Sequence, residues 1–172
     1  MDVDRTLDQL RSRAEIAEVV MAYCRGFDRC DATLLRGCFH PDSTHEHGAF
    51  KGLSTDFCAY GLELVRGVVL THHQLGQISI ALDGDQAWVE SYFTSYHRFG
   101  EAPPPGGQPH EDRIMGGRYV DRFERRDGVW RIAHRKGVNE WTRYASAADR
   151  GFFERPASER GRRDREDPVY WR

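Results

Sequence analysis

Residues 71–98 read Thr-His-His-Gln-Leu-Gly-Gln-Ile-Ser-Ile-Ala-Leu-Asp-Gly-Asp-Gln-Ala-Trp-Val-Glu-Ser-Tyr-Phe-Thr-Ser-Tyr-His-Arg. Two runs of alternating apolar and polar residues flank Asp83-Gly84-Asp85, and an Asp-Gly pair in that setting is a strong hairpin signal. Thr71–Leu82 and Ala87–Arg98 are therefore predicted as paired antiparallel strands. Downstream, Arg113–Arg125 and Val129–Arg135 repeat the pattern around Arg126-Asp127-Gly128, while Gly100–Asp112, with its Pro and Gly residues, reads as the loop between the hairpins. Upstream the period changes from two to that of helices. Leu7, Leu10, Ala14, Ala17 and Met21, with Ile16, Val19, Val20 and Tyr23, form one broad stripe, and Gly26 is a plausible stop. Asp31 is predicted to cap a short helix over 32–39 that ends at His40-Pro41-Asp42; 43–50 reads as a short strand or hairpin; Ser54 or Thr55 is predicted to cap a third helix reaching Arg66. Helices first and a four-stranded meander afterwards predict an α+β layer structure with helices on one face of the sheet.

Strand parity selects the inward side chains. Placing Val89 and Phe93 inside puts His97 inside; Met115, Gly117, Tyr119, Asp121 and Phe123 lie together; Trp130, Ile132 and His134 share a face. The first strand holds a conflict, because Ile78, Ile80 and Leu82 share parity with His72 and not with His73. A bulge at Gly76 would shift the register and bring His73 in; without one, His72 is the inward residue. The outer positions Trp88, Tyr92 and Tyr96 form a candidate subunit interface.

Composition narrows the function classes. The chain has 172 residues, 39% hydrophobic and 12% aromatic, which suits one domain with a sizeable core. Residues 1–145 are assigned to that domain and 146–172 to a charged tail, solvated or covering the pocket or a neighbouring subunit. No apolar run approaches the ~20 residues of a membrane helix and no signal pattern opens the chain, so a cytoplasmic location with no membrane partner is expected. A net charge of −2 offers no basic field for nucleic acid. Cys24, Cys30, Cys38 and Cys58 form no CxxC pair and read as reduced, buried hydrophobes. His45-Glu46-His47 places two imidazoles on one strand face, but a third ligand at suitable spacing is missing, so no metal is expected. Gly106-Gly107 and Gly116-Gly117 lack the strand-to-helix context of a phosphate loop.

The order helix, Gly26-Phe27-Asp28, second helix, His40-Pro41-Asp42, Gly48-x-Phe50-x-Gly52, Thr71-His72-His73-x-x-Gly76, Asp83-Gly84-Asp85-x-Ala87 and Arg126-Asp127-Gly128-Val129-Trp130 resembles the SnoaL-like branch of the nuclear transport factor two superfamily. That branch includes scytalone dehydratase, hexachlorocyclohexane dehydrochlorinase and bile-acid dehydratases, and the resemblance spans roughly residues 5 to 144. It implies a cystatin-like α+β barrel: a cone-shaped, curved antiparallel sheet packed on N-terminal helices, with a deep apolar pocket. It also implies that Asp28 and His73 are the catalytic dyad, that His97 matches a second histidine of scytalone dehydratase, and that His47 falls at a pocket tyrosine of that enzyme. Phe27 replaces the tyrosine beside the catalytic Asp. Homodimers or homotrimers are usual for such proteins. The fold hosts many activities, so the site must carry the functional argument.

An imidazole near neutral pH serves as base or acid, and a neighbouring carboxylate fixes its tautomer and stabilises the imidazolium. His73 is accordingly read as general base, Asp28 as its orienter, and His97 with Tyr119 or His47 as donors to a leaving group or oxyanion. Tyr23, Phe27, Phe50, Phe93, Tyr119 and Trp130, together with His47, are expected to line an apolar site for a hydroxylated aromatic or polycyclic small molecule. Bland readings stand beside these: Asp28 as a turn residue, His97 and His134 as core histidines, Tyr119 as a packing aromatic. The leading expectation is a cofactor-independent lyase that removes water or a small aldehyde, deformylation of lignin-derived diaryl compounds included. The alternatives are a ketosteroid-type isomerase and a non-catalytic ligand-binding or assembly module.

Overall fold

The computed structural model describes residues 3–103, 106–148, 151 and 154–171; Pro104 and Pro105 of the expected loop, and residues 149, 150, 152, 153 and 172 of the tail, lie outside these. Helix α1 (Val3–Asp28) runs through the expected stop at Gly26. That glycine serves close packing instead, since a Cβ there would stand 3.1 Å from the Leu35 Cβ. The buried face of α1 is Ser12, Ile16, Val20, Tyr23, Cys24 and Phe27, at helical spacing. Leu7, Leu10, Ala14 and Met21, expected on that stripe, are exposed: burial of α1 begins only at Ser12, and Ala14 and Met21 lie off the buried face. Asp31 caps α2 (Ala32–Gly37) as expected, accepting from the N–H groups of Thr33 at 3.1 Å and Leu34 at 3.0 Å.

Strand β1 (Phe39–His47) starts where α2 was expected to end, and His40-Pro41-Asp42 lies inside it. Pro41 falls where the pairing of β1 with its neighbour is irregular, between Phe39 and Thr44, which is where a residue without an N–H is tolerated. After β2 (Phe50–Leu53) comes α3 (Ser54–Arg66), whose cap position is Leu53 with no side-chain hydrogen bond, so neither Ser54 nor Thr55 plays the expected capping role. The two hairpins follow as β3 (Leu70–Asp83), β4 (Gln86–Arg98), β5 (Glu111–Arg126) and β6 (Val129–Ser146), the last running well past the expected end at Arg135.

The fold is mixed α+β: N-terminal helices and one curved, unclosed six-stranded sheet in the order β2-β1-β6-β5-β4-β3. Neighbouring strands are antiparallel except β1 and β6, which run parallel, so the strand or hairpin expected near 43–50 joins the meander in one sheet, a pairing that local pattern did not predict. Three bulges or irregularities set which residues face the helices. Along β3, Leu75 pairs with Phe93 and Ile78 with Ser91, so one extra residue is inserted at Gly76-Gln77. Along β6, Phe123 pairs with Ile132 but Arg122 pairs with His134, so Ala133 is extra. That insertion breaks the expected Trp130, Ile132, His134 face: Arg135 is buried and pairs with Asp121, whereas the His134 ring meets the Thr44 hydroxyl at 2.8 Å. The third lies at Gly116/Gly117, opposite Trp141 and Asn139.

The core lies between the helices and the concave face and includes Ile16, Val20, Leu35, Phe123, Trp130 and Ile132. All four cysteines are free. Most of the described tail residues are exposed, and several side chains contact the domain. Tyr170 donates its hydroxyl to Asp31 at 2.9 Å, Arg29 donates to the Arg162 carbonyl at 2.9 Å, and Arg163 donates to the carbonyls of Val65 and Val68. Among the described residues, no helix is long and apolar enough to cross a membrane.

Candidate active site

The extra residue in β3 decides the histidine question. Before it, Thr71, His73 and Leu75 point inward against His97, Ser95 and Phe93; after it, Ile78, Ile80 and Leu82 do. His72 is exposed. From the opposite side, the last residue of α1 brings its carboxylate to the same strand. The Asp28 Oδ1 accepts from the His73 ring Nδ1 at 2.7 Å, and its Oδ2 accepts from the His73 backbone N–H at 2.9 Å. The Thr71 hydroxyl donates to Oδ1 at 3.4 Å. Both side chains are about nine-tenths buried. Burial pushes the Asp28 carboxyl up, but the hydrogen bonds and charge of His73 outweigh it, and the pKa falls below the ordinary carboxylate value. An ionised carboxylate only accepts, so Nδ1 carries the proton and the neutral ring keeps its lone pair on Nε2.

His73 lines a cavity of about 380 Å³. Tyr23, Phe27, His47, Phe93, His97 and Tyr119, all expected at the site, line it too. Phe50 does not; it packs behind the wall on Phe57, with ring centroids 5.3 Å apart. Trp130 does not either: it is buried in the core, with the Arg125 guanidinium 5.4 Å from its ring. Its parity was read correctly as inward, but that position on β6 lies away from the cavity, opposite Arg125 of β5.

The His97 ring stands edge-on to the His73 ring, 5.6 Å between centroids, and its Nδ1 is buried without a protein partner. Burial, with the charges of His73 and Arg113 acting the same way, lowers the His97 pKa to about 3. Burial and the Arg135 charge lower that of His47 to about 4. Both rings are therefore neutral at physiological pH. His47 fits only because residue 137 is glycine: a Cβ there would stand 2.3 Å from the His47 Nδ1. His45, the other half of the suspected metal pair, lies in the core with its ring stacked on Phe57 at 3.6 Å. Among the described residues, no group of three or more His, Cys, Asp or Glu is placed to hold a metal ion.

At the cavity floor Tyr119 stacks on Phe93, centroids 4.4 Å apart, and meets Tyr23 edge-on. Behind both tyrosines lies an element the sequence reading missed. The fully buried Arg135 guanidinium sits 4.0 Å from the Tyr23 ring and 4.3 Å from the Tyr119 ring, and donates to Asp121 at 2.8 and 2.6 Å. Burial works against the Arg135 charge, but Asp121 outweighs it and the pKa is raised. An acid in an apolar inward stripe was the available signal, since a buried carboxylate requires a partner. Arg113, Ser95, Met115 and Asn139 also line the cavity without having been singled out for it.

A profile of the SnoaL-like domain matches residues 8–136. Among solved structures, the chain is similar to the hexachlorocyclohexane dehydrochlorinase LinA-type3 from Novosphingobium barchaimii LL02, with 17% identity over 83% of this chain and 96% of that one and a TM-score of 0.72. It is similar to a protein assigned as a scytalone dehydratase from Novosphingobium aromaticivorans, with 23% identity, 86% and 98% coverage and a TM-score of 0.66. A protein of unknown function with a cystatin-like fold from Nostoc punctiforme shares 17% identity over 74% of this chain and 90% of that one, at a TM-score of 0.59. Among curated proteins no sequence matches significantly. These structural likenesses speak for the fold, and the profile match covers most of the chain. The chain belongs to the SnoaL-like domain family.

Proposed function

We propose that this protein is a cofactor-independent lyase acting on a hydroxylated aromatic or polycyclic small molecule, with His73 as general base and Asp28 as its orienter. The observation that carries the reading is the 2.7 Å contact between Asp28 and the His73 Nδ1 at the wall of a largely apolar cavity. In the proposed reaction the His73 Nε2 takes a proton from the carbon next to the one bearing the leaving group. The C–H electron pair becomes the new double bond, the leaving group departs with its bonding pair, and for a hydroxyl the proton returns from His73 to release water. Retro-aldol loss of formaldehyde uses the same base on a hydroxyl proton: the O–H pair forms the formaldehyde C=O, the C–C pair passes into a conjugated acceptor of the substrate, and His73 returns the proton to that carbon. Ionised Asp28 stabilises the imidazolium formed in either case. Neutral His97 and the buried Tyr119 hydroxyl are positioned as donors to the leaving group or oxyanion, with His47 at the same wall.

Two observations weigh against the alternatives. A ketosteroid-type isomerase needs a carboxylate deep in the cone, and no Asp or Glu lines the cavity among the described residues. A purely binding or assembly role would fit a collapsed pocket or a separated pair, and the cavity is open and the pair joined. The likeness of this fold to a dehydrochlorinase and to a protein assigned as a scytalone dehydratase supports the lyase class. For assembly we propose a homodimer or homotrimer through the outer sheet face, where Trp88, Tyr92 and Trp141 are exposed; Tyr96, expected there, instead donates to Asp112. The test of function is a panel of phenolic and polycyclic alcohols followed by mass spectrometry. Loss of 18 or 30 mass units from one of them without added cofactor is expected, abolished in His73→Ala; unaltered rates in that variant would remove the assignment.

A further inference from the structure

We propose that the cavity is built for a substrate carrying a carboxylate, held by Arg113 at the His97 end. This inference rests on the site proposed above and names its substrate class. Arg113 is the direct cross-strand partner of His97, so both face inward, and Arg113 is the one Arg or Lys in the cavity lining. Its surroundings set it apart from the other inward cation. Arg135 is sealed by Asp121, whereas among the described residues no carboxylate lies within ion-pair distance of Arg113. Its guanidinium carbon stands 5.3 Å from the centre of the Phe99 ring, and its Nε is buried without a hydrogen-bond partner.

A partly buried guanidinium with an orphan donor is costly to keep unless something supplies the missing charge. The neighbouring groups point the same way. The Ser95 hydroxyl and the His97 Nδ1 are likewise buried without partners, and Ser95, His97 and Arg113 all line one cavity with no acid in its walls. The carboxylate whose charge acts on His97, that of Asp28, is occupied by His73 and Thr71. From the tail, Arg163 adds positive charge felt at His97. A planar fork of N–H donors matches a carboxylate in two parallel hydrogen bonds, which selects that anion over a phenolate with its single oxygen. A ring system would lie on Phe27, Phe93 and Tyr119 while its carboxylate anchors at Arg113, leaving the bond to be broken beside His73.

The experiment compares two probes of matched size, 2-naphthoate and 2-naphthylmethanol, by calorimetry on the intact protein and on Arg113→Met and Arg113→Lys. Hydrogen bonds to a charged group predict that the wild type binds the carboxylate about ten-fold more tightly or better. Arg113→Met is expected to abolish the preference with alcohol binding unchanged, and Arg113→Lys to keep part of it. No preference in the wild type, or an undiminished one in Arg113→Met, overturns the proposal. Should Arg113→Met fail to fold by circular dichroism, Arg113→Lys decides: a full wild-type preference there contradicts the two-pronged contact. Because binding is read without turnover, the outcomes separate from those of the lyase reading. A carboxylate preference that persists in His73→Ala, with reaction rates in that variant unaltered from the wild type, would retire the assigned chemistry and leave the anion site standing.

Discussion

Asp28 holds His73 at two points, one carboxylate oxygen on the ring Nδ1 and the other on the backbone N–H of the same residue. The end of α1 thereby fixes both the position of β3 and the rotation of the imidazole, and the second contact makes the first insensitive to small shifts of either element. A carboxamide keeps the shape but offers only one accepting oxygen. Asp28→Asn is therefore expected to fold and to lose about 10²–10⁴-fold in kcat, the range over which a positioned acid–base group contributes, with KM little changed. Steady-state kinetics on the substrate found in the screen check this; a loss confined to KM would mean that Asp28 serves binding.

The bulge in β3 yields a paired prediction for the two adjacent histidines. His72 points away from the cavity, so His72→Ala should leave activity intact and stability within about 0.5 kcal/mol, as for ordinary surface positions. Deleting Gln77 removes the extra residue, turns residues 71–76 to the opposite face, and should reduce activity to the level of His73→Ala. Equal effects of His72→Ala and His73→Ala would contradict the register.

Four imidazoles whose pKa burial lowers, those of His40, His45, His47 and His97, set the acid sensitivity of the fold. Burial, aided by the charge of Arg135 at two of them, lowers the pKa of His45 to about 2 and of His47 to about 4, and burial lowers that of His97 to about 3. Between those values and the unfolded value near ~6.5 the unfolded chain binds more protons, so stability falls as pH drops, by up to about 1.4 kcal/mol per pH unit for each histidine. Asp28 has its pKa depressed, so its contribution is present above the unfolded value near ~3.9 and is lost only at lower pH still. Urea unfolding from pH 7 to 5 should show this slope, and His45→Phe should flatten it by about one quarter, because one of four groups is removed. A slope unchanged in His45→Phe would assign the acid sensitivity elsewhere.

The sealed pair beneath the tyrosines should be the most sensitive polar contact in the core. Asp121→Ala leaves a fully buried guanidinium unpaired and is expected to cost about 3–5 kcal/mol, read from the urea midpoint. Replacing both partners, Asp121→Leu with Arg135→Met, should recover most of that loss. A cost for Asp121→Ala below about 1 kcal/mol would show that water reaches Arg135.

Much of this arrangement was readable from local pattern, and the failures share a cause. The inward parity of Phe93, His97 and Tyr119 follows from alternation, and the conflict between His73 and Ile78 points to a bulge at or near Gly76. The order of helices and hairpins and the Asp31 cap were equally legible. The parallel pairing of β1 with β6 was not, because a register across about ninety intervening residues leaves no local signal. The Ala133 bulge carries no glycine to mark it, so Arg135 was assigned to no role. Arg113 shares parity with Met115 and Tyr119 and was within reach of the same alternation argument. The tail's contacts with Asp31 and Arg29 were not legible, because a charge run carries no local signal of its specific partners.

The most direct test of the dyad needs no substrate. Long-range proton–nitrogen spectra of the neutral His73 imidazole, recorded at alkaline pH, should show a protonated Nδ1 and a bare Nε2, with that tautomer lost in Asp28→Asn. A bare Nδ1 with the proton on Nε2 would contradict the account, since the nitrogen assigned to take the substrate's proton would already hold one.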